Sequence, residues 1–364
     1  MNKKNIAVLV SGGVDSSVAL SILKNQGHSI TAFYIKIWLE DELNYLGNCP
    51  WEEDTSYIKT LCINLEIPFE IISMQKDYWD IVVNYTINSV KIGNTPNPDI
   101  FCNREIKLGL FLKKYGKDFD YIATGHYARR IEFNNEVFLC TTDDKIKDQT
   151  YFLSYTPLEA LKKVLFPIGN MEKYQVRDYA KNNNLPSAHR ADSQGICFLG
   201  NIKFKDFIKY YCGTKTGNII CYDTGKILGQ HDGFWFYTIG QRSGIGLSHG
   251  PWYVIDKDIK ENIIYVSTIN SKKRIEEINT IFIYAFNWLI SEKYKFKVND
   301  TLLVKLRHGP FFNECIISEL NNEYIKIILK DKDQGIANGQ FAVFYKYIEE
   351  IKETICFGAG EIKV

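Results

Sequence analysis

The first thing this sequence lacks is an excess of charge of either sign. Lys and Arg number 44 against 43 Asp and Glu, a formal net charge of +1 at pH 7 over 364 residues. A globally basic face of the kind that binds polyanions is therefore excluded. The balance shifts little along the chain: residues 1–200 carry 22 basic and 24 acidic side chains, and residues 201–364 carry 22 and 19. Any RNA must be held by local patches.

No apolar run is long enough to span a bilayer, so no membrane partner is expected. The first apolar strand begins by about residue 5, which leaves no room for a signal or transit peptide and makes a cytoplasmic location the expectation. The nine cysteines are odd in number, irregularly spaced, and without a C-x-x-C or H-x-x-x-H pair. That pattern speaks against a disulfide framework and the common zinc spacings, and no resident metal is expected. Cys62, Cys140, Cys212, Cys221, Cys315 and Cys356 sit in apolar or aromatic surroundings and read as small buried hydrophobes. Repeats and low-complexity segments are missing too.

What is present is a chain with 45% hydrophobic and 14% aromatic residues, enough core for two or three domains. Its organising stretch is Leu9-Val10-Ser11-Gly12-Gly13-Val14-Asp15-Ser16-Ser17, set between the apolar run from Ile6 to Val10 and a helical pattern that Gly27 can end. Paired glycines let the backbone approach an anion, and the N-terminus of the following helix attracts phosphate oxygens. Ser and Asp stand where first-turn N–H groups need acceptors. The loop lacks the Gly-Lys-Ser/Thr of a Walker A element and does not match the dinucleotide fingerprint. Ser-Gly-Gly-Val-Asp-Ser resembles the pyrophosphatase loop of enzymes that split ATP between its α and β phosphates. The alternative is a tight strand-to-helix turn that merely needs glycine.

Downstream, strands (Ile30 to Ile35, Phe69 to Ile72, Tyr121 to Thr124) alternate with helices (Trp51 to Leu65, Asp77 to Ile92, Asn103 to Tyr115). This predicts an α/β doubly wound parallel sheet. Residues 38–50 read as a loop over the nucleotide mouth. In Thr95-Pro96-Asn97-Pro98-Asp99-Ile100-Phe101-Cys102-Asn103, two prolines predict a rigid, extended loop that presents Cys102 near a helix start, where the dipole favours thiolate, rather than in the core. Gly125-His126 closes a strand at the presumed ligand edge. Arg129 to Thr142 reads as a hairpin turning at Asn134-Asn135, and Lys147-Asp148-Gln149-Thr150-Tyr151 as a polar exposed segment. Helix Lys173 to Asn182 leads to a second candidate cysteine, Cys197, just after Gly195.

These motifs resemble the tRNA-specific 2-thiouridylases over nearly the whole chain. The resemblance rests on Ser-Gly-Gly-Val-Asp-Ser-Ser, Thr-Pro-Asn-Pro-Asp-Ile-x-Cys-Asn, Ala-Thr-Gly-His-Tyr-Ala, Asp-Gln-Thr-Tyr-Phe-Leu, Ser-Gln-Gly-Ile-Cys-Phe and Tyr-Thr-Ile-Gly-Gln-Arg, in the family's order. Gly195 stands where an acidic residue is expected, and Ile35 where methionine is expected beneath adenine. The resemblance implies ATP-dependent adenylation of the C2 oxygen of the wobble uridine, then sulfur transfer, with AMP and pyrophosphate as by-products. It implies that residues Leu9 to Ser16, Ile35 and Gly125 hold ATP with Mg²⁺. It also implies that Cys197 carries a persulfide supplied by a donor protein, and that Cys102 helps release the sulfur. Asp99 is a candidate acid or base, with turn capping as the alternative. Asn97, Pro98, Asp99, His126, Lys147, Asp148, Gln149, Arg307, His308 and Gln340 are the expected tRNA contacts.

After about residue 204 the alternation stops. Short strands, Phe234 to Thr238 among them, predict a small mostly-β central domain, and the all-strand pattern from about Asn279 predicts an antiparallel β-barrel that helps hold tRNA. The expected domains are 1–204, 205–275 and 276–364. Two other readings stay open: a pyrophosphatase-loop enzyme that adenylates a small molecule and adds an amine, and a noncatalytic RNA-binding protein. The first does not need two loop cysteines; Asp15, Ser16, Cys102 and Cys197 count against the second.

Overall fold

A computed structural model describes residues 3–37, 51–192, 202–268, 279–333 and 335–364. The loop expected over the nucleotide mouth (38–50) and the stretch with Gly195 and Cys197 lie outside these residues.

Strand β1 (Asn5–Leu9) lies at the centre of a five-stranded parallel sheet in the order β3-β2-β1-β4-β7. The others are β2 (Ser29–Lys36), β3 (Phe69–Ser73), β4 (Tyr121–Thr124) and β7 (Val164–Leu165). The unbroken apolar run of β1 follows from burial on both faces. Ile6 and Val8 join the core beneath α1 (Val14–Asn25), Trp51–Leu65 and Lys173–Asn182. Ala7 and Leu9 join the core beneath the helices at 75–91, 98–115 and 204–212. Each fully buried aliphatic side chain contributes about 1.5–3 kcal/mol. The chain builds β2 and β3 on one side of β1 and returns to place β4 on the other. Leu9 is thus paired with Phe33 and Thr124 at a switch point, where sheets of this type open a crevice.

Two helices depart from the expected bounds. The one predicted from Asp77 begins at Gln75 and carries a π segment, Trp79–Val83. The one predicted from Asn103 begins at Pro98, capped by the Asn97 side chain, which accepts from the Ile100 N–H at 3.2 Å. Pro98 occupies the first helical position, where its missing N–H is harmless. The loop-breaking proline is therefore a helix start, and a π segment follows at Cys102–Leu110.

The next sheet, β10-β11-β8-β9, is built from β8 (Gly217–Cys221), β9 (Ile227–His231), β10 (Tyr253–Asp258) and β11 (Ile263–Ser267). Phe234 to Thr238 is not the expected strand. Phe234–Phe236 is a 3₁₀ turn, closed by the Tyr237 N–H on the Phe234 carbonyl at 3.1 Å, which buries Phe234.

The barrel runs β12-β15-β14-β13-β16-β17 and closes through β12 and β17. Its strands are β12 (Thr280–Trp288), β13 (Thr301–Lys305), β14 (Asn313–Leu320), β15 (Tyr324–Leu329), β16 (Phe341–Ile348) and β17 (Glu353–Lys363). The hairpin β5 (Arg129–Phe133) and β6 (Glu136–Cys140) leaves the parallel sheet and extends the barrel sheet, with Cys140 opposite Ile355. Phe138 and Cys140 enter the barrel core, whereas Leu139 joins Tyr151, Leu153, Phe341, Tyr345 and Cys356 in a second core between the two parts.

Candidate active site

The Ser11–Ser17 loop is shaped by its small residues. Gly12 has φ +78, and a Cβ there would lie 2.8 Å from the Asp54 backbone. Ser16 folds back: its Oγ accepts the Ser11 N–H at 3.1 Å and donates to the Gly13 carbonyl at 3.2 Å. Ser16 and Asp15 do not cap α1. Gly13 is the N-cap and offers no side-chain bond, so the positive end of α1 faces the crevice uncapped. At the end of β4, Gly125 approaches so closely that a Cβ would meet the Ser16 nitrogen at 2.6 Å. These features make a backbone cradle that fits phosphate.

Charge surrounds the cradle. Asp15 accepts the Tyr127 hydroxyl at 2.8 Å, and Lys173 Nζ lies 2.7 and 3.0 Å from its two oxygens. The same ammonium is 2.9 Å from Asp192, which also binds Lys147 at 3.0 Å and Arg177. Burial works to raise the Asp192 pKa, but the bonds from Lys173 and Lys147 outweigh it and hold the carboxyl well below its ordinary range. Burial and the Asp15 carboxylate push the Tyr127 phenol up, which keeps it a donor. Arg190 reaches Asp54 at 2.6 Å and borders Gly12. Burial raises the Asp54 pKa, opposed by Arg190.

Lys173, Tyr127 and Arg190 were missed by motif reading. One signal for Lys173 was available: it is the first residue of its helix, where the macrodipole disfavours a cation, so a partner elsewhere must hold it.

Among the expected residues, Val10 donates to the Phe33 carbonyl at 2.9 Å, and Ile35 sits half-buried near the carboxyl end of β2. His126 Nδ1 lies 2.8 Å from Thr124 Oγ1. His126 is half-buried as a residue, and the protein enclosing its ring, with Lys107, pushes its pKa down to about 3, so it is neutral.

The cysteine loop differs from expectation. Cys102 is 1% exposed within the core, not held out of it by the rigid loop. The preceding residues are clamped by the other two parts of the chain. Lys257 donates to the Gly93 and Tyr237 carbonyls. The Thr95 N–H donates to Asn338 O at 2.8 Å, and Gln340 Nε2 donates to Thr95 O at 3.3 Å. Gly339 is needed in that turn, since its φ is +85 and a Cβ would meet Asn94 Cβ at 2.9 Å. Burial lowers the Lys257 pKa to about 8.

The segment read as polar and exposed is largely interior. Asp148, Thr150 and Tyr151 are no more than 2% exposed. Asp148 accepts the Thr142 N–H at 2.9 Å and lies 3.7 Å from Lys305 of the barrel, itself 2% exposed. A carboxylate enclosed this way is a domain-joining group and is not presented to an RNA phosphate. Gln149 clamps Tyr127 in both directions, accepting its N–H at 2.9 Å and donating its own backbone N–H to the Tyr127 carbonyl at 2.8 Å. Arg307 is engaged by Asp333 through two bonds of 2.9 and 2.8 Å. His308 packs on Phe152 at 4.5 Å, and the Phe152 carbonyl accepts the Asn103 side-chain amide at 3.0 Å, which sets the barrel loop against the Cys102 helix; burial and Lys305 lower the His308 pKa.

A parallel sheet with a phosphate cradle at its switch point, backed by a closed barrel, defines a nucleotide-using enzyme of the pyrophosphatase-loop class. The chain matches the tRNA methyl transferase HUP domain over residues 4–201, the tRNA methyl transferase PRC-barrel domain over 205–268 and the aminomethyltransferase β-barrel domain over 278–362. It is 46% identical over 358 residues to the tRNA-specific 2-thiouridylase MnmA of Parabacteroides distasonis, covering 98% of each chain. It is 43% identical over 363 residues to the same-named protein of Porphyromonas gingivalis, covering 98% of this chain and 99% of that one. The chain belongs to the tRNA-specific 2-thiouridylase family. No helix among the described residues is long and apolar enough to cross a membrane.

Proposed function

We propose that this protein is a tRNA 2-thiouridylase that activates the uridine C2 oxygen with ATP and replaces it by sulfur. The observation that carries the reading is the junction of Gly125 with the Asp15-Ser16 backbone: it sets an uncapped helix N-terminus beside Asp15 and Lys173 at the switch point. Family membership supplies the substrate.

The phosphates of ATP would lie on the α1 N-terminus, with Mg²⁺ held by Asp15 to offset charge that backbone N–H groups alone do not neutralise. The uridine O2 attacks the α phosphorus and pyrophosphate leaves. The terminal sulfur of a persulfide on Cys197 then bonds to C2, and AMP departs with the former O2. Attack by Cys102 on Cys197 Sγ frees the thiolated base and leaves a disulfide, which an external thiol reduces. Asp99, at the start of the Cys102 helix, is the candidate proton carrier. The wobble base must leave the anticodon stack, which is cheap for an unpaired loop nucleotide. The tRNA would be held by patches near His126, Lys147, Arg307, His308 and Gln340.

The test is pyrophosphate release from ATP on adding tRNA, with nucleoside mass spectrometry on the same reaction. Pyrophosphate release without tRNA, and no 2-thiouridine with it, would favour the small-molecule reading instead.

A further inference from the structure

Phe311 is 85% exposed, more than any other large hydrophobic side chain described. A solvent-facing phenyl ring is ordinary on a floppy loop, but this loop is fixed on both sides of it. Arg307 donates two hydrogen bonds to the Asp333 carboxylate, and His308 lies against Phe152. Phe312 packs edge-on to Tyr345 at 5.1 Å and lies 4.5 Å from the Lys305 ammonium. With both flanks anchored, the chain holds one aromatic ring outward that no packing uses.

Its location narrows what the ring meets. Two residues, Gly309 and Pro310, lie between His308 and Phe311, so the Phe311 Cα is at most about 11 Å from that of His308, whose ring packs on Phe152. Phe152 beneath His308 also accepts, through its carbonyl, the Asn103 side-chain amide at 3.0 Å, one residue beyond Cys102. The exposed ring is thus carried by the barrel loop that packs, through His308 and Phe152, against the helix bearing Cys102. A partner there that carries flat, unpaired π faces is the anticodon loop of the substrate.

We propose that Phe311 is a stacking platform for an unpaired anticodon-loop base next to the one that is modified. This rests on the tRNA reading above. Stacking is tolerant of base identity, so Phe311 sets affinity and registers the loop without choosing its sequence.

The experiment uses full-length Phe311→Ala, Phe311→Leu, Phe311→Tyr and Phe311→Trp with tRNA bearing 2-aminopurine at anticodon-loop positions flanking the wobble base. The expected result is a rise in KM for tRNA of about tenfold in the Ala and Leu variants, with kcat and KM for ATP unchanged. Tyr and Trp should bind like the parent. Binding should quench 2-aminopurine at one flanking position in the parent, Tyr and Trp proteins and not in Ala or Leu. Because the ring is exposed, all variants should melt together. A Leu variant that binds as the parent does, or unaltered tRNA affinity with a change in self-association, would overturn the proposal. A parent protein that forms no 2-thiouridine would instead overturn the functional reading, and the two failures are separable.

Discussion

Lys173 and Asp15 form a two-pronged ion pair, with Nζ 2.7 and 3.0 Å from the carboxylate oxygens, and the ammonium is shared with Asp192 at 2.9 Å. One cation thus ties the Ser11–Ser17 loop to Asp192, five positions before Cys197 in the sequence. Asp15→Ala should abolish tRNA-dependent pyrophosphate release, and Lys173→Met should raise KM for ATP by about tenfold or more. Lys173→Arg should recover part of the loss. Pyrophosphate release at the parent rate from Asp15→Ala would remove Asp15 from the nucleotide site.

The glycines divide into two kinds that mutation can separate. Gly12 and Gly27 both have positive φ, but a Cβ on Gly12 strikes Asp54 whereas one on Gly27 meets nothing within 4 Å. Gly27→Ala should lower stability by only about 1 kcal/mol and leave turnover alone. Gly12→Ala should lose ATP turnover and melt lower still. Gly125→Ala should do the same by pushing the end of β4 off α1. Thermal melts alongside pyrophosphate assays decide the matter; equal effects at positions 12 and 27 would refute it.

Replacing Cys102 or Cys197 by serine should leave tRNA-dependent pyrophosphate release largely intact while 2-thiouridine falls to background. The phosphate cradle and the Cys102 helix are separate elements, so activation and sulfur delivery should come apart. Normal thiolation by Cys197→Ser would rule out the persulfide route.

The clamp on Thr95 predicts that the barrel acts on chemistry as well as on affinity. Gly339→Val would drive a side chain into Asn94 and loosen the Asn338 and Gln340 bonds. Its kcat for thiolation should fall by about tenfold or more, with tRNA Kd changed less. A loss confined to Kd would make the turn an RNA contact only.

His126 supplies a pH test. Its folded pKa, about 3, is below the unfolded value, so unfolding takes up a proton between those limits. Stability is then lost as pH falls from about 6.5 toward 3, with a slope of up to about 1.4 kcal/mol per pH unit from this residue. Comparing His126→Asn with the parent in denaturant titrations at pH 7 and pH 4.5 should show a shallower loss in the variant. Parallel losses would deny His126 this role.

Most of the parallel sheet was legible because β1 must be apolar throughout when helices cover both faces, and Trp51–Leu65 and Lys173–Asn182 follow helical spacing. The cradle was legible because Gly12 and Gly13 carry a backbone requirement within a few residues. The Asp15–Lys173 pair spans 158 positions, and no local pattern records it. Polarity misled at Asp148, since a charged residue reads as exposed unless its buried partner, here Lys305, is known. Cys102 misled in a similar way: two prolines suggested a presented loop, yet Pro98 starts a helix that turns the thiol inward.

The hairpin that the first half of the chain lends to the barrel also sets an order of events during synthesis. Arg129 and its partner Glu353 are 224 residues apart. At about 5–20 residues per second, the ribosome needs on the order of 10–45 s to deliver the strand that covers β6. Once the helix at 204–212 completes the nucleotide-binding half, that half carries an open strand edge, with Phe138 and Cys140 uncovered, until β17 arrives. A newborn chain stalled or cut before β17 should therefore be a client for chaperones and a seed for aggregation, even where its parallel sheet is complete.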